Sequence, residues 1–182
     1  MSSKTPIYLL ILVIAIVFFA WHKISNPYRK YSTSDYWQTA TVRSVEEIPD
    51  EAILEKNKNG PVLMWAAIGG SNPEVLTALV ERGADINEGD GIFKGTPLTG
   101  AAGYSKNPEM IDRLIELGAD INKTVWGGNT ALIIAAQYNE NPGITAALLR
   151  NGATRTRKNS SGKTALDVAK AVGNELAIRE LQ

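Results

Sequence analysis

The chain contains no cysteine, and its one histidine, His22, stands at the edge of an apolar run. The first absence excludes disulfides and thiol chemistry. The second leaves residues 23–182 without imidazole, which removes the commonest general base and most zinc sites. No Gly-x-x-x-x-Gly-Lys phosphate loop occurs. Carboxylates are plentiful but scattered, and a carboxylate-dependent hydrolase would need two of them converging in one pocket. One acidic segment, Asp85-Ile86-Asn87-Glu88-Gly89-Asp90-Gly91, imitates a calcium loop and fails at three positions: Gly89 replaces a ligand, Asp90 replaces the turn glycine, and Thr96 replaces the bidentate glutamate. No catalytic, cofactor-binding or metal-ligating residue is therefore assigned, and no small-molecule substrate is expected.

A net charge of zero is also an absence, but it conceals segregation. Residues 1–30 carry four basic and no acidic side chains, residues 35–120 seven basic against fifteen acidic, and residues 121–182 eight against four. An acidic first half followed by a basic second half can orient a partner through its long-range field, or be ordinary solvated surface. The basic run Arg150, Arg155, Arg157, Lys158 and Lys163 lacks the interleaved aromatics of a single-strand binder, and residues 31–182 hold 15 basic against 19 acidic side chains, so nucleic acid is not expected as a partner.

What the chain does have is a period. Thr96-Pro97-Leu98, Thr130-Ala131-Leu132 and Thr164-Ala165-Leu166 recur every 34 residues. Gly83-Ala84-Asp85-Ile86-Asn87, Gly118-Ala119-Asp120-Ile121-Asn122 and the eroded Gly152-Ala153-Thr154 keep the same beat. Asn72-Pro73, Asn107-Pro108 and Asn141-Pro142 mark helix starts, since asparagine caps and proline suits the first helical position. The glycines at 83, 118 and 152 end those helices by taking the left-handed conformation. Between these limits Val75, Leu76, Leu79 and Val80 superpose on Met110, Ile111, Leu114 and Ile115, and nearly on Ile144, Thr145, Leu148 and Leu149, one helical stripe per repeat.

The Thr-Pro-Leu start, the paired alanines at 66–67, 101–102 and 135–136, and the Gly-Ala-Asp-Ile-Asn end resemble the ankyrin repeat, in particular short bacterial proteins of that family. The resemblance covers about residues 50–182 and implies an all-α solenoid of about four helix-turn-helix repeats, approximately 60–93, 94–127, 128–161 and 162–182. The histidine usual after the leucine is replaced by Met64, Thr99, Ile133 and Asp167, so its hydrogen bonds between repeats must be lost or remade. The last repeat is expected to have a short second helix that frays. Upstream, Ser34 is expected to cap a helix through Ala40, and Thr41 a second one through Ile48, where Pro49 stops it. Within residues 31–59 these form a capping half-unit whose face, Tyr36, Trp37, Val42, Val45 and Ile48, covers the first repeat.

Residues 7–21 are unbrokenly apolar, preceded by Lys4 and followed by His22 and Lys23. Fifteen residues rise about 22 Å as a helix, short of a roughly 30 Å hydrocarbon core, so Pro6, Tyr8 and Trp21 would extend into the interface. A signal peptidase site after Ala20 would place bulky Phe18 where a small residue is needed, which favours an uncleaved single-pass anchor within residues 1–30. Lys23, Arg29 and Lys30 lean the repeats toward the cytoplasmic side by one charge, and export remains compatible.

Repeat register also places candidates for binding. Gly69, Tyr104 and Tyr138 stand two residues beyond each alanine pair, and Ile92 and Trp126 four residues before two of the threonines. With Phe93 and Val125 they make a line of large side chains on loop tips and the inner helix face, whereas Trp65, Ile134 and Val168 occupy the slot that packs between repeats. The expected partner-binding residues are Ile92, Phe93, Tyr104, Trp126 and Tyr138, since aromatics are enriched at binding hot spots. The resemblance implies a non-catalytic protein-binding scaffold, here tethered to a membrane by residues 7–21. An inhibitor or immunity-type protein that neutralises a cell-envelope enzyme is the alternative.

Overall fold

The computed structural model describes residues 28–54, 61–89 and 95–182. The chain divides into two compact units, Met1–Lys30 and Tyr31–Gln182. The apolar segment 7–21 lies outside the described residues, and among those described no helix is long and apolar enough to cross a membrane.

The second unit is helical, with no strand among its described residues. It begins with α1 (Ser34–Gln38), α2 (Val42–Glu46) and α3 (Asp50–Leu54). Four pairs follow, each with an inner and an outer helix: α4 (Val62–Gly69) and α5 (Glu74–Glu81), α6 (Pro97–Tyr104) and α7 (Glu109–Glu116), α8 (Ala131–Tyr138) and α9 (Pro142–Arg150), α10 (Ala165–Val172) and α11 (Glu175–Leu181). Inner helices pack on inner helices in the order α1, α4, α6, α8, α10, and outer on outer in the order α2, α5, α7, α9, α11.

The local chemistry follows the period. Asn72, Asn107 and Asn141 each accept, through Oδ1, from the N–H two residues on at 3.0 Å. Gly83, Gly118 and Gly152 have φ of 95°, 96° and 90°, and the following Ala84, Ala119 and Ala153 donate back to Leu79, Leu114 and Leu148. These six-to-one bonds, paired with the glycine N–H bond one turn inside, satisfy carbonyls that the helix end would otherwise orphan. The stripe they delimit is core: Leu76, Leu79, Met110, Ile111, Leu114, Ile144 and Leu148 are all fully buried.

The lost histidine contacts are remade in two ways. Thr99 and Asp167 close reciprocal capping boxes with Thr96 and Thr164, whereas Ile133 offers Thr130 only its backbone N–H. Bonds between repeats come instead from asparagines. Asn139 is 7% exposed and donates Nδ2 to the carbonyls of Ala102 and Ser105 at 3.1 and 3.0 Å. Asn107, Asn141 and Asn174 likewise donate to carbonyls of the preceding unit. On the outer row arginines add ion pairs across the first three junctions: Arg82 with Asp50, Arg113 with Glu74, and Arg150 with Asp112 at 2.5 Å.

The capping region departs from expectation in three respects. Ser34 is the first residue of α1 rather than its cap, and that helix ends at Gln38. Thr41 does cap α2, in a box with Ser44, but the helix it starts ends at Glu46 and Val42 remains 42% exposed while Trp37, Val45 and Ile48 are buried. Pro49 ends the non-helical stretch 47–49 that separates α2 from an unexpected third helix. Its carbonyl accepts from Ala52 and Ile53 and starts α3, whose Ala52 and Ile53 are buried.

Candidate functional site

Among the described residues the inner helices line a groove of about 1430 Å³. Its end nearest the cap is formed by Ser34 and Gln38 of α1, its floor by Gly69, Gly70 and Gly100, and its walls by Trp65, Ile68, Ile134 and Tyr104. Tyr138 and Gln137 continue it along α8, and Val125, Trp126 and Asn129 close it on the loop side. Among the described residues lining it, Lys106 alone carries a formal charge.

Small residues build that floor because helices approach closely there. A Cβ on Gly69 would lie 2.4 Å from the Ser34 carbonyl oxygen, and one on Gly100 would lie 2.9 Å from Met64 Cγ. Gly69 holds the register of Tyr104 and Tyr138, so the first repeat has no ring at that place. Tyr104 and Tyr138, 60% and 54% exposed, are stacked with centroids 6.0 Å apart and planes 26° apart. The outcome is a two-ring ridge beside an unfilled step at Gly69.

Trp126 reaches the same groove from a rigid turn. Val125 N–H donates to the Asn129 carbonyl and Gly128 N–H to the Val125 carbonyl, both at 2.9 Å, with Gly127 and Gly128 at φ of 73° and 70°. Asn129 Nδ2 donates to the Trp126 carbonyl at 3.1 Å, and the neighbouring turn adds Ser160 N–H to Gly127 O and Asn159 Nδ2 to Asn129 Oδ1. Trp126 itself is 71% exposed at the tip of this bonded platform. Large rings held by short, tied segments lose little freedom on contact, which suits them as anchors.

Of the five residues that register singled out, Tyr104, Trp126 and Tyr138 line this groove, while Ile92 and Phe93 lie outside the described residues. Trp65 and Ile134, expected between repeats, are half-buried and line the groove as well. Val168 is buried as expected. The acidic segment at 85–88 serves as a staple: Asp85 Oδ1 accepts from Asn87 N–H, and Asn87 Nδ2 donates to the Gly118 carbonyl of the next repeat. Among the described residues no group of three or more His, Cys, Asp or Glu side chains converges as metal ligands would.

The family profile described as ankyrin repeats matches residues 98–181 in three copies. No curated protein matches the chain.

Proposed function

From the premise that the chain is a member of the ankyrin-repeat family, we propose that it is a membrane-tethered scaffold that recruits or blocks a protein partner through the inner groove. Ankyrin repeats serve in protein–protein interaction and are generally non-catalytic, and a preorganised stack offers a surface that need not order itself on binding. The observation that carries the reading is the convergence of Tyr104, Tyr138 and Trp126 on one groove, at exposures of 54–71% that packing between repeats does not require. Ile92 and Phe93 are further candidate contacts on sequence register alone. The tether is the apolar segment 7–21, which leaves the array on one face of a membrane; the flanking charges favour the cytoplasmic face. An inhibitor of an envelope enzyme is the second reading, favoured by the exposed carboxylates Asp35, Glu46, Glu47 and Glu51 near the start of the array.

The test is a photo-crosslinking residue at position 138 in the full chain, expressed in its own membranes. A discrete crosslinked protein is expected. Trp126→Ala should reduce the crosslink about thirtyfold in affinity, the equivalent of about 2 kcal/mol for a central anchor, without changing the melting temperature. If Trp126→Ala unfolds the array while affinity per folded molecule is unchanged, the groove is not the binding surface.

A further inference from the structure

Seven large apolar side chains are exposed among the described residues, and only Tyr104, Trp126 and Tyr138 belong to the groove. The other four fall in the first and last units of the array. Val42 and Leu54 are 42% and 55% exposed in the capping region, and Val172 and Leu176 are 51% and 40% exposed in α10 and α11. Terminal units of a solenoid normally turn a polar face to water, because their outward side has no neighbour. Here both terminal units keep exposed apolar residues: Leu176 holds the register of Pro108, which lies against Gly143 of the next repeat, whereas Val172 continues the register of Tyr104 and Tyr138.

The charges of the two ends mirror each other. Residues 31–60 hold six acidic and three basic side chains, and residues 154–182 hold six basic and three acidic. At the acidic end Asp35, Glu46, Glu47, Asp50 and Glu51 are exposed. At the basic end Arg155, Arg157, Lys158 and Lys163 are exposed within ten residues that contain no acid.

We propose that the array docks on a second copy of itself head to tail, the last repeat of one chain against the capping helices of the next. The same step, inner helix on inner and outer on outer, already relates α1 and α2 to α4 and α5, and α8 and α9 to α10 and α11. Repeating it between chains places acidic cap against basic end and covers Leu176 with the cap of the neighbour. A tail-to-tail arrangement would instead oppose two basic ends, which like-charge repulsion disfavours. A head-to-tail contact does not close on itself, so it generates open chains longer than a dimer. None of the residues invoked lines the groove, so this contact and a groove-bound partner are independent of each other.

The test uses the full chain in a nonionic detergent, with mass followed by sedimentation across concentration and salt. Mass should rise past the dimer with concentration and fall as salt screens the ends. A head variant, Glu46→Lys with Glu47→Lys, and a tail variant, Arg155→Glu with Arg157→Glu, should each weaken self-association at least about tenfold while circular dichroism stays unchanged. Mixing them mates the intact tail of the first with the intact head of the second and sets the reversed, now basic head against the reversed, now acidic tail, so association past the dimer should return. A wild type that stays monomeric at every concentration and salt overturns the proposal, as does a closed dimer insensitive to both variants. Monomers that bind anionic vesicles, with binding abolished by the tail variant, would overturn it too and assign the basic end to a lipid surface.

Discussion

Replacing Asn139 probes the device that substitutes for the missing histidines. Its Nδ2 donates to the Ala102 and Ser105 carbonyls at 3.1 and 3.0 Å, and its Oδ1 accepts from Asn141 N–H at 2.9 Å, all in a site 7% exposed. Three net bonds at about 0.5–1.5 kcal/mol each predict a loss of about 3 kcal/mol for Asn139→Ala, weighted upward because two buried carbonyls of the preceding repeat lose their partner. Asn139→Asp should be worse at neutral pH, since an anionic oxygen would then face those carbonyls. That repulsion raises the folded-state pKa of the new carboxyl above its unfolded value. The deficit is therefore full above the folded pKa and disappears below the unfolded value of about 3.9, so Asn139→Asp should gain stability relative to Asn139→Ala as pH falls. Urea titrations of the three proteins at pH 7 and pH 4, read by circular dichroism, measure both effects. A loss under about 0.5 kcal/mol for Asn139→Ala, or an Asn139→Asp deficit that does not shrink in acid, would refute the reasoning.

Thr145 is fully buried with its Oγ1 unpartnered, where the other repeats place Leu76 and Ile111; Thr145→Val should add about 1 kcal/mol and raise the melting temperature by about 2–4 °C. Gly69→Ala puts a Cβ 2.4 Å from the Ser34 oxygen, so the cap must shift at a cost of about 1–3 kcal/mol, visible as increased quenching of the now buried Trp37. The Asp167 carboxylate accepts from Thr164 N–H at 2.9 Å and Oγ1 at 2.7 Å, which holds its pKa below the ordinary 3.8. Its support of α10 is accordingly present above about 3.9 and lost as pH falls through the lowered folded value. Hydrogen exchange of α10 amides should show Asp167→Asn less protected than wild type at pH 6, with the difference vanishing toward pH 2.

Most of the fold was legible because the repeats write it more than once. Three Asn-Pro starts, three left-handed glycines and three threonine caps each correspond to a bond in the structure, and one register serves them all. The capping region was less legible for the same reason. It has no second copy to align with, and the five-residue helix that follows Pro49 is too short for an apolar period to announce it. Val42 shows the cost of assigning a face from a five-residue helix, too short for the apolar stripe to define itself. At the groove, Tyr104, Tyr138 and Trp126 were placed by counting alone. Gly69 fell in the same register, but its backbone contact with Ser34, a neighbour 35 residues away, is reported by no local pattern.

The staples between repeats also determine how the array answers force. The side-chain bonds that join one repeat to the next, from Asn107 to Ser71, Asn139 to Ala102 and Asn174 to Ala136, span 36 to 38 residues. Load applied between the two ends is thus borne in series, one junction at a time, and the weakest junction sets the yield point. The outer-row arginine pairs brace the junctions up to Arg150 and Asp112, and among the described residues no such pair reaches α11. A pull on Gln182 against a fixed first helix should therefore peel α10 and α11 first, at low force, and leave the groove between α1 and α8 intact while they go.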